Sequence, residues 1–223
     1  MKLPDVVLFD LDGTLIDSVP DLTTALNRML KELDIKSVEQ RAVHNWVGDG
    51  SRVLVHRAMT GRIDGRVDEA QAAEAYRIFQ DHYANCCLGD TRIFDHAEEL
   101  IKTLRDRGTK TAIVTNKPER HAIHMMATWS DKLPMDAVLG EIDGRPRKPD
   151  PAMLLEAKNQ CEAGTAWMVG DSEVDGRAAR AIGADFIGVR LGYNHGRDIA
   201  DMVPPPDQTF DDLGSFLAWI NSL

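Results

Sequence analysis

The chain has 223 residues, with 26 Lys and Arg against 36 Asp and Glu and a formal charge of −10. That length allows one large domain, or a main domain carrying a smaller one, and 43% hydrophobic residues are enough for a core. The acidity argues against nucleic acid and anionic membrane surfaces as partners, and no apolar stretch approaches the roughly 18 residues of a membrane span.

Met1 to Asp5 lacks a signal peptide's apolar core, because the short run Val6 to Phe9 is ended by Asp10, so a cytoplasmic location is expected. Val6–Asp10 is the first predicted strand. From Val19 to Leu88 the pattern is helical only: Leu22, Leu26, Met29, Leu30 and Leu33 form one stripe, followed by Val43 to Trp46, Val53 to Met59 and Asp68 to Leu88. Beyond it, strands predicted at Lys110–Thr115, Ala137–Gly140, Ala166–Gly170 and Asp185–Val189 alternate with helices at Asp95–Arg107, Lys117–Trp129, Pro151–Cys161 and Ser172–Gly183. Gly108 and Gly183 stand where helices end in a residue of positive φ. Pro204-Pro205-Pro206 reads as a stiff connection.

Apolar strands alternating with helices imply α/β architecture, a Rossmann-like, doubly wound parallel sheet covered on both faces. The helix-only stretch reads as a small inserted helical domain, 17–89, hinged at about Ile16–Val19 and Leu88–Arg92. The α/β unit then comprises 1–16 and 90–223. Cys86, Cys87 and Cys161 show neither a disulfide framework nor a zinc spacing and read as free thiols. His121 and His124, three apart on a helix, lack the further ligands that zinc needs. Trp46, Trp129, Trp167 and Trp219 are scattered and imply no stacking platform.

Four fragments carry chemistry. Asp10-Leu11-Asp12-Gly13-Thr14-Leu15-Ile16-Asp17-Ser18 places two carboxylates at the end of the first strand, where α/β folds bind ligands, and Gly13 lets backbone approach an anion. Such a pair can divide into nucleophile and acid/base, although an ordinary strand-to-loop turn also fits. Val114-Thr115-Asn116-Lys117 offers a hydroxyl and loop amides for phosphate oxygens, or simply a helix cap. Lys148-Pro149-Asp150-Pro151 offers one cation beside a carboxylate, or a solvated loop lysine. Val169-Gly170-Asp171-Ser172-Glu173-Val174-Asp175 adds two carboxylates one helical turn apart, suited to Mg²⁺.

In this order, each at a strand end, the fragments resemble the four motifs of the haloacid dehalogenase superfamily of phosphotransferases over a core of about 150 residues. The helical insertion resembles that superfamily's first-type cap. The resemblance implies an aspartyl-phosphate on Asp10, with Asp12 as acid/base and Mg²⁺ held by Asp10, the Asp12 main-chain oxygen and Asp171. It implies phosphate binding by Gly13, Thr115, Asn116 and Lys148, and a supporting role for Asp175 toward Lys148 or a metal-bound water. The acid at Asp12 disfavours dehalogenation, which needs no leaving-group proton. A receiver-like signalling module is too short and lacks the insertion, and a non-catalytic binding protein is disfavoured because every catalytic position is filled.

Trp46-Val47-Gly48-Asp49-Gly50 with Val53-Leu54-Val55, Thr115-Asn116-Lys117-Pro118, and Gly192-Tyr193-Asn194-His195-Gly196 more specifically resemble the phosphoglycolate phosphatases. The expected substrate is therefore a small phosphorylated metabolite, 2-phosphoglycolate foremost. Sugar phosphates, pyrophosphate, nucleotides or a β-phosphoglucomutase-like reaction are the alternatives. Gly48 and Gly50 are the expected turn residues of the specificity loop, and Arg52 or His56 is expected to meet a substrate carboxylate, or else to be a surface charge on a cap helix. Gly140 to Arg147 is unusually basic and glycine-rich, and Trp129-Ser130-Asp131-Lys132 replaces a short glycine turn. The chain is expected to work as a monomer or homodimer.

Overall fold

The computed structural model describes residues 2–223. The chain begins with β1 (Val6–Phe9) and β2 (Ile16–Asp17), then four helices: α1 (Val19–Glu32), α2 (Gln40–His44), α3 (Ser51–Thr60) and α4 (Glu69–Ala84). There follow β3 (Arg92–Ile93), α5 (Ala97–Asp106), β4 (Lys110–Pro118), α6 (Glu119–Thr128), β5 (Ala137–Glu141) and α7 (Ala152–Gln160). The chain ends with β6 (Ala166–Gly170), α8 (Glu173–Ala181), β7 (Asp185–Val189), two short 3₁₀ turns, β8 (Gln208–Phe210) and α9 (Leu213–Ser222). Among the described residues no helix is long and apolar enough to cross a membrane.

Six strands form a parallel sheet in the order β5-β4-β1-β6-β7-β8. Side chains alternate across it as the pleat requires. Val7, Phe9, Ile113, Trp167 and Val169 pack with α5, α6 and α9 on one face, while Val6, Leu8, Ala112, Val114 and Met168 pack with α7 and α8 on the other. β1 lies between β4 and β6, with Phe9 level with both Ile113 and Val169. The strand order changes direction here, so the carboxyl ends of these three strands open on one crevice. Asp10 and Asp171 stand just beyond β1 and β6, and Thr115 lies in the last part of β4.

Three expectations need correction. β4 runs on to Pro118, pairing Pro118 with Glu141 after a register shift, so α6 starts at Glu119 and Lys117 belongs to a strand end. β8 and α9 were not expected. β8 is three residues on an edge, and α9 is announced mainly by its cap, the Asp212 carboxylate accepting from the Ser215 amide at 2.7 Å. The tryptophans are also less scattered than the sequence suggests: Trp167 and Trp219 centroids lie 5.5 Å apart, and Phe210 and Phe216 complete this cluster beneath α9.

β2 and β3 pair antiparallel, Ile16 with Ile93 and Asp17 with Arg92, and the four helices lie between them in sequence. One buried carboxylate ties the two crossings. Asp21, in the first turn of α1, accepts from the Asp90 amide (2.9 Å), the Thr91 amide (2.9 Å) and the Thr91 hydroxyl (2.6 Å). Leu22, Leu26 and Met29 of α1 pack with Leu54 of α3 and with Ala75, Phe79 and Tyr83 of α4, in a cluster continuous with the core of the sheet.

Candidate active site

Lys148 is the cation at the centre of the site. It is buried, and its Nζ donates to the Val114 carbonyl at 2.7 Å and to Asp175 Oδ1 at 2.6 Å. It lies 3.0 Å from Asp10 Oδ1, but off the hydrogen-bonding direction, so that buried oxygen has an ionic neighbour and no directed donor. Burial alone would lower the Lys148 pKa, but the two carboxylates outweigh it and hold the value above the usual lysine range. Asn116 fixes the lysine's backbone from both sides: its Oδ1 accepts from the Lys148 amide at 2.9 Å and its Nδ2 donates to the Lys148 carbonyl at 3.0 Å. The side chain of Asn116 thus has a role that the motif did not predict. Thr115 is buried beside it, and its hydroxyl accepts from the Lys117 amide at 3.2 Å.

Asp10, Asp171 and Asp175 each bring a buried carboxylate oxygen within 4.8 Å of the others. Burial raises Asp10 to about 6 and lifts Asp171 well above the usual range, with repulsion among the three adding to both. One lysine against three buried carboxylates leaves an excess of negative charge that a hard dication would neutralise, and the oxygen-only donors fit Mg²⁺. Asp175 is the most committed of the three. Its Oδ2 accepts from the Ser172 amide and hydroxyl, at 3.2 and 2.7 Å, while Lys148 holds Oδ1. Those contacts suit a residue that steers Lys148 rather than a direct ligand. Asp171 accepts from the Thr14 hydroxyl (3.2 Å) and the Tyr193 amide (2.6 Å).

Glycines make room for this cluster. A Cβ on Gly13, at φ +85°, would stand 2.7 Å from Asp171 Oδ2, and one on Gly192 would stand 2.0 Å from the same oxygen. The Gly13 amide donates to the Ile16 carbonyl at 2.8 Å, so its expected part in anion binding is replaced by a steric one: it closes the turn and admits Asp171. Asp12 points its side chain elsewhere. Its carboxylate accepts from Lys117 Nζ at 2.9 and 3.0 Å and from the Ser18 hydroxyl at 2.6 Å. Only the main-chain oxygen of Asp12 therefore remains for the metal contact expected of it. Ser18 precedes α1 but makes no side-chain cap there, because its hydroxyl serves Asp12 instead.

A cavity of about 40 Å³ lies between these strand ends and the helical insertion. Asp10, Asp12, Thr115, Asn116 and Lys117 line it from the sheet, and Gly48, Gly50, Ser51, Gln80 and Tyr83 line it from the insertion, between apolar walls. Arg52 and His56 are absent from that lining. Arg52 lies 4.3 Å over the Tyr76 ring and 3.8 Å from Asp143, with its side chain half exposed. His56 is buried, and its Nδ1 accepts from the Val67 amide at 3.2 Å. The structure thus places neither Arg52 nor His56 in the lining of this cavity.

The sequence matches the profile of the haloacid dehalogenase-like hydrolases over residues 7–189. The chain belongs to this family. Curated relatives named phosphoglycolate phosphatase include one from Colwellia psychrerythraea, 38% identical over 97% of this chain and 98% of its own. Another, from Pseudomonas putida, is 40% identical over 96% of this chain and 79% of its own. The crystal structure of a predicted phosphoglycolate phosphatase from Haemophilus somnus superposes with a TM-score of 0.87 at 28% identity, covering 98% of this chain and 99% of that one.

In this haloacid dehalogenase-like hydrolase the departures noted in the sequence form contacts. Arg145 bonds the Gly140 carbonyl at 3.0 Å and pairs with Glu119 and Glu156, and Arg147 crosses to the Asp49 carbonyl at 3.2 Å. From the opposite side His195 Nε2 lies 3.2 Å from Asp49 Oδ2, and Arg57 Nη2 lies 2.6 Å from it. The bond from His195 holds Asp49 down to about 2 against the opposing effect of burial, with Arg57 adding. The same bond raises His195 above its ordinary 6.5. The Asp49 contribution to stability is thus whole above its ordinary 3.8 and lost as pH falls toward about 2. The His195 contribution is whole below 6.5 and fades as pH rises through its raised value. A His195→Asn variant should therefore lower the thermal midpoint clearly at about pH 5.5 and much less at about pH 8.5, as measured by differential scanning fluorimetry.

Proposed function

We propose that this protein is a Mg²⁺-dependent phosphatase that hydrolyses a small phosphate monoester, foremost 2-phosphoglycolate, through an aspartyl-phosphate on Asp10. The observation that carries this reading is a buried, underbonded Asp10 oxygen beside Lys148, in one cavity with Asp12. The names of the relatives support the substrate.

Asp10 attacks phosphorus as the ester bond breaks, and Asp12 delivers a proton to the departing oxygen. A water then attacks the aspartyl-phosphate, Asp12 takes its proton, and phosphate leaves with Asp10 restored. Asp10 and Asp171 would hold Mg²⁺, which when bound would supply charge neutralisation for the phosphoryl oxygens. Thr115 and Lys148 share that task, and Asn116 holds Lys148 in register. Lys117 and Ser18 keep Asp12 at the cavity wall. The four-helix insertion, residues 17–89, acts as a cap that excludes water and limits substrate size. The site contains no feature that favours the mutase over hydrolysis.

The test is phosphate release from a panel of 2-phosphoglycolate, sugar phosphates, pyrophosphate and nucleotides, with Mg²⁺ and with a chelator. Metal-dependent release that is fastest from 2-phosphoglycolate supports the reading. Release from no ester, or isomerised sugar phosphate without free phosphate, overturns it.

A further inference from the structure

Gln80 and Tyr83 line the cavity, and Gln80 Nε2 and the Tyr83 hydroxyl are buried without a hydrogen-bond partner among the described residues. Both residues lie on α4, three apart and so on one face, and both are more than nine-tenths buried. The orientation of Gln80 is set from behind. Its Oε1 accepts from Arg120 Nη2 at 2.6 Å and faces His121 Nε2 at 2.7 Å. A guanidinium only donates, so the oxygen end of the amide must face Arg120 and the nitrogen end is left over. Burial drives His121 down to about 3, so its ring is neutral beside the same oxygen. Behind the Tyr83 ring, at 4.8 Å from its centroid, lies Lys117 Nζ.

A buried donor left unmet is costly to the fold. Two of them lie on one face of α4, with the Lys117 ammonium that Asp12 already holds behind the Tyr83 ring, on the insertion's side of a wall shared with Leu22, Leu54 and Phe79. Such a patch calls for an anionic acceptor on a short carbon chain. The cavity, about 40 Å³, also favours a small substrate.

We infer that Gln80 and Tyr83, with Lys117, form the subsite that receives the carboxylate at the non-phosphoryl end of the substrate, an inference that rests on the phosphatase reading above. Arg120 and His121 are positioning residues for Gln80. Lys117 joins this subsite to Asp12, so carboxylate binding and the placement of the acid are linked through one ammonium.

The experiment compares kcat/KM for 2-phosphoglycolate with that for ethyl phosphate, which has a methyl group in place of the carboxylate. Both are measured in the wild type, Gln80→Met and Tyr83→Phe. The wild type is expected to prefer 2-phosphoglycolate. The ratio should fall about tenfold or more in Gln80→Met and severalfold in Tyr83→Phe, with the loss mainly in KM for 2-phosphoglycolate. A general packing defect would lower both rates together and leave the ratio alone. Tyr83→Phe removes a single oxygen and keeps the test available if Gln80→Met folds poorly. If both variants keep the wild-type ratio, the subsite is wrong while the phosphatase reading stands. If the wild type releases phosphate from other esters but does not favour 2-phosphoglycolate over ethyl phosphate, the subsite and the choice of 2-phosphoglycolate are overturned while the phosphatase chemistry stands; release from no ester overturns the phosphatase reading itself.

Discussion

Asp10→Asn is expected to abolish phosphate release, by at least about 10⁴-fold, the scale on which covalent enzymes respond to loss of the nucleophile. It is also expected to make the metal-free protein more stable. Asp10 is buried with Asp171 and Asp175, all three within 4.8 Å, and burial raises it to about 6. A carboxylate raised in the folded state costs nothing while both states are protonated, below its ordinary 3.8, and its full cost applies above about 6. The stability gain from asparagine should therefore be absent at acid pH and complete by neutrality, at ~1–3 kcal/mol or several degrees in the midpoint. Adding Mg²⁺ should narrow the difference, because the wild type binds the ion with one more carboxylate. Thermal melts across pH, with and without the metal, read both effects. An active Asp10→Asn protein, or one less stable without metal at neutral pH, would falsify this account of the site.

Lys148→Met should act in the opposite direction on stability. The lysine is the only cation within bonding distance of Asp10 and Asp175 among the described residues, and removing one partner of a buried ion cluster costs about 3–5 kcal/mol. A loss of ~10 °C in the thermal midpoint follows for a chain of this length. Activity should fall as well, by at least about 10²-fold, since in the proposed mechanism the ammonium faces the charge that develops during phosphoryl transfer. Combining Lys148→Met with Asp175→Asn should recover part of the stability and none of the activity. A double-mutant cycle in chemical denaturation measures that coupling.

The parts of this molecule that were legible in the sequence are those encoded locally. Five of the sheet's strands show as apolar runs, and the site residues Asp10, Thr115, Lys148 and Asp171 stand in motifs a few residues long. What was hidden depends on partners far away in the chain. Lys117 was in plain view beside Thr115, but its ion pair with Asp12 spans 105 residues. Gln80 and Tyr83 sit at core-facing positions of an amphipathic helix, where a polar group reads as tolerated rather than placed, and only the contact of Gln80 with Arg120 and His121 shows what it is for. The sequence also suggested Arg52 and His56, because charge near a glycine loop is conspicuous. Helical geometry decided otherwise, turning Arg52 to Tyr76 and His56 to the Val67 amide. β8 and α9 went unseen because one is a three-residue edge and the other follows a proline-rich connection.

The Asp21 clasp has a consequence for how the gene can change. It brings together residues 70 positions apart, so the chain enters and leaves the intervening segment at one place. Closing a longer loop adds little entropy cost, about 0.6 kcal/mol for each doubling of length. Insertions and deletions in the exposed turn between α3 and α4 should therefore be tolerated by the sheet, and the segment is free to diverge in size while the strand ends it covers stay in register.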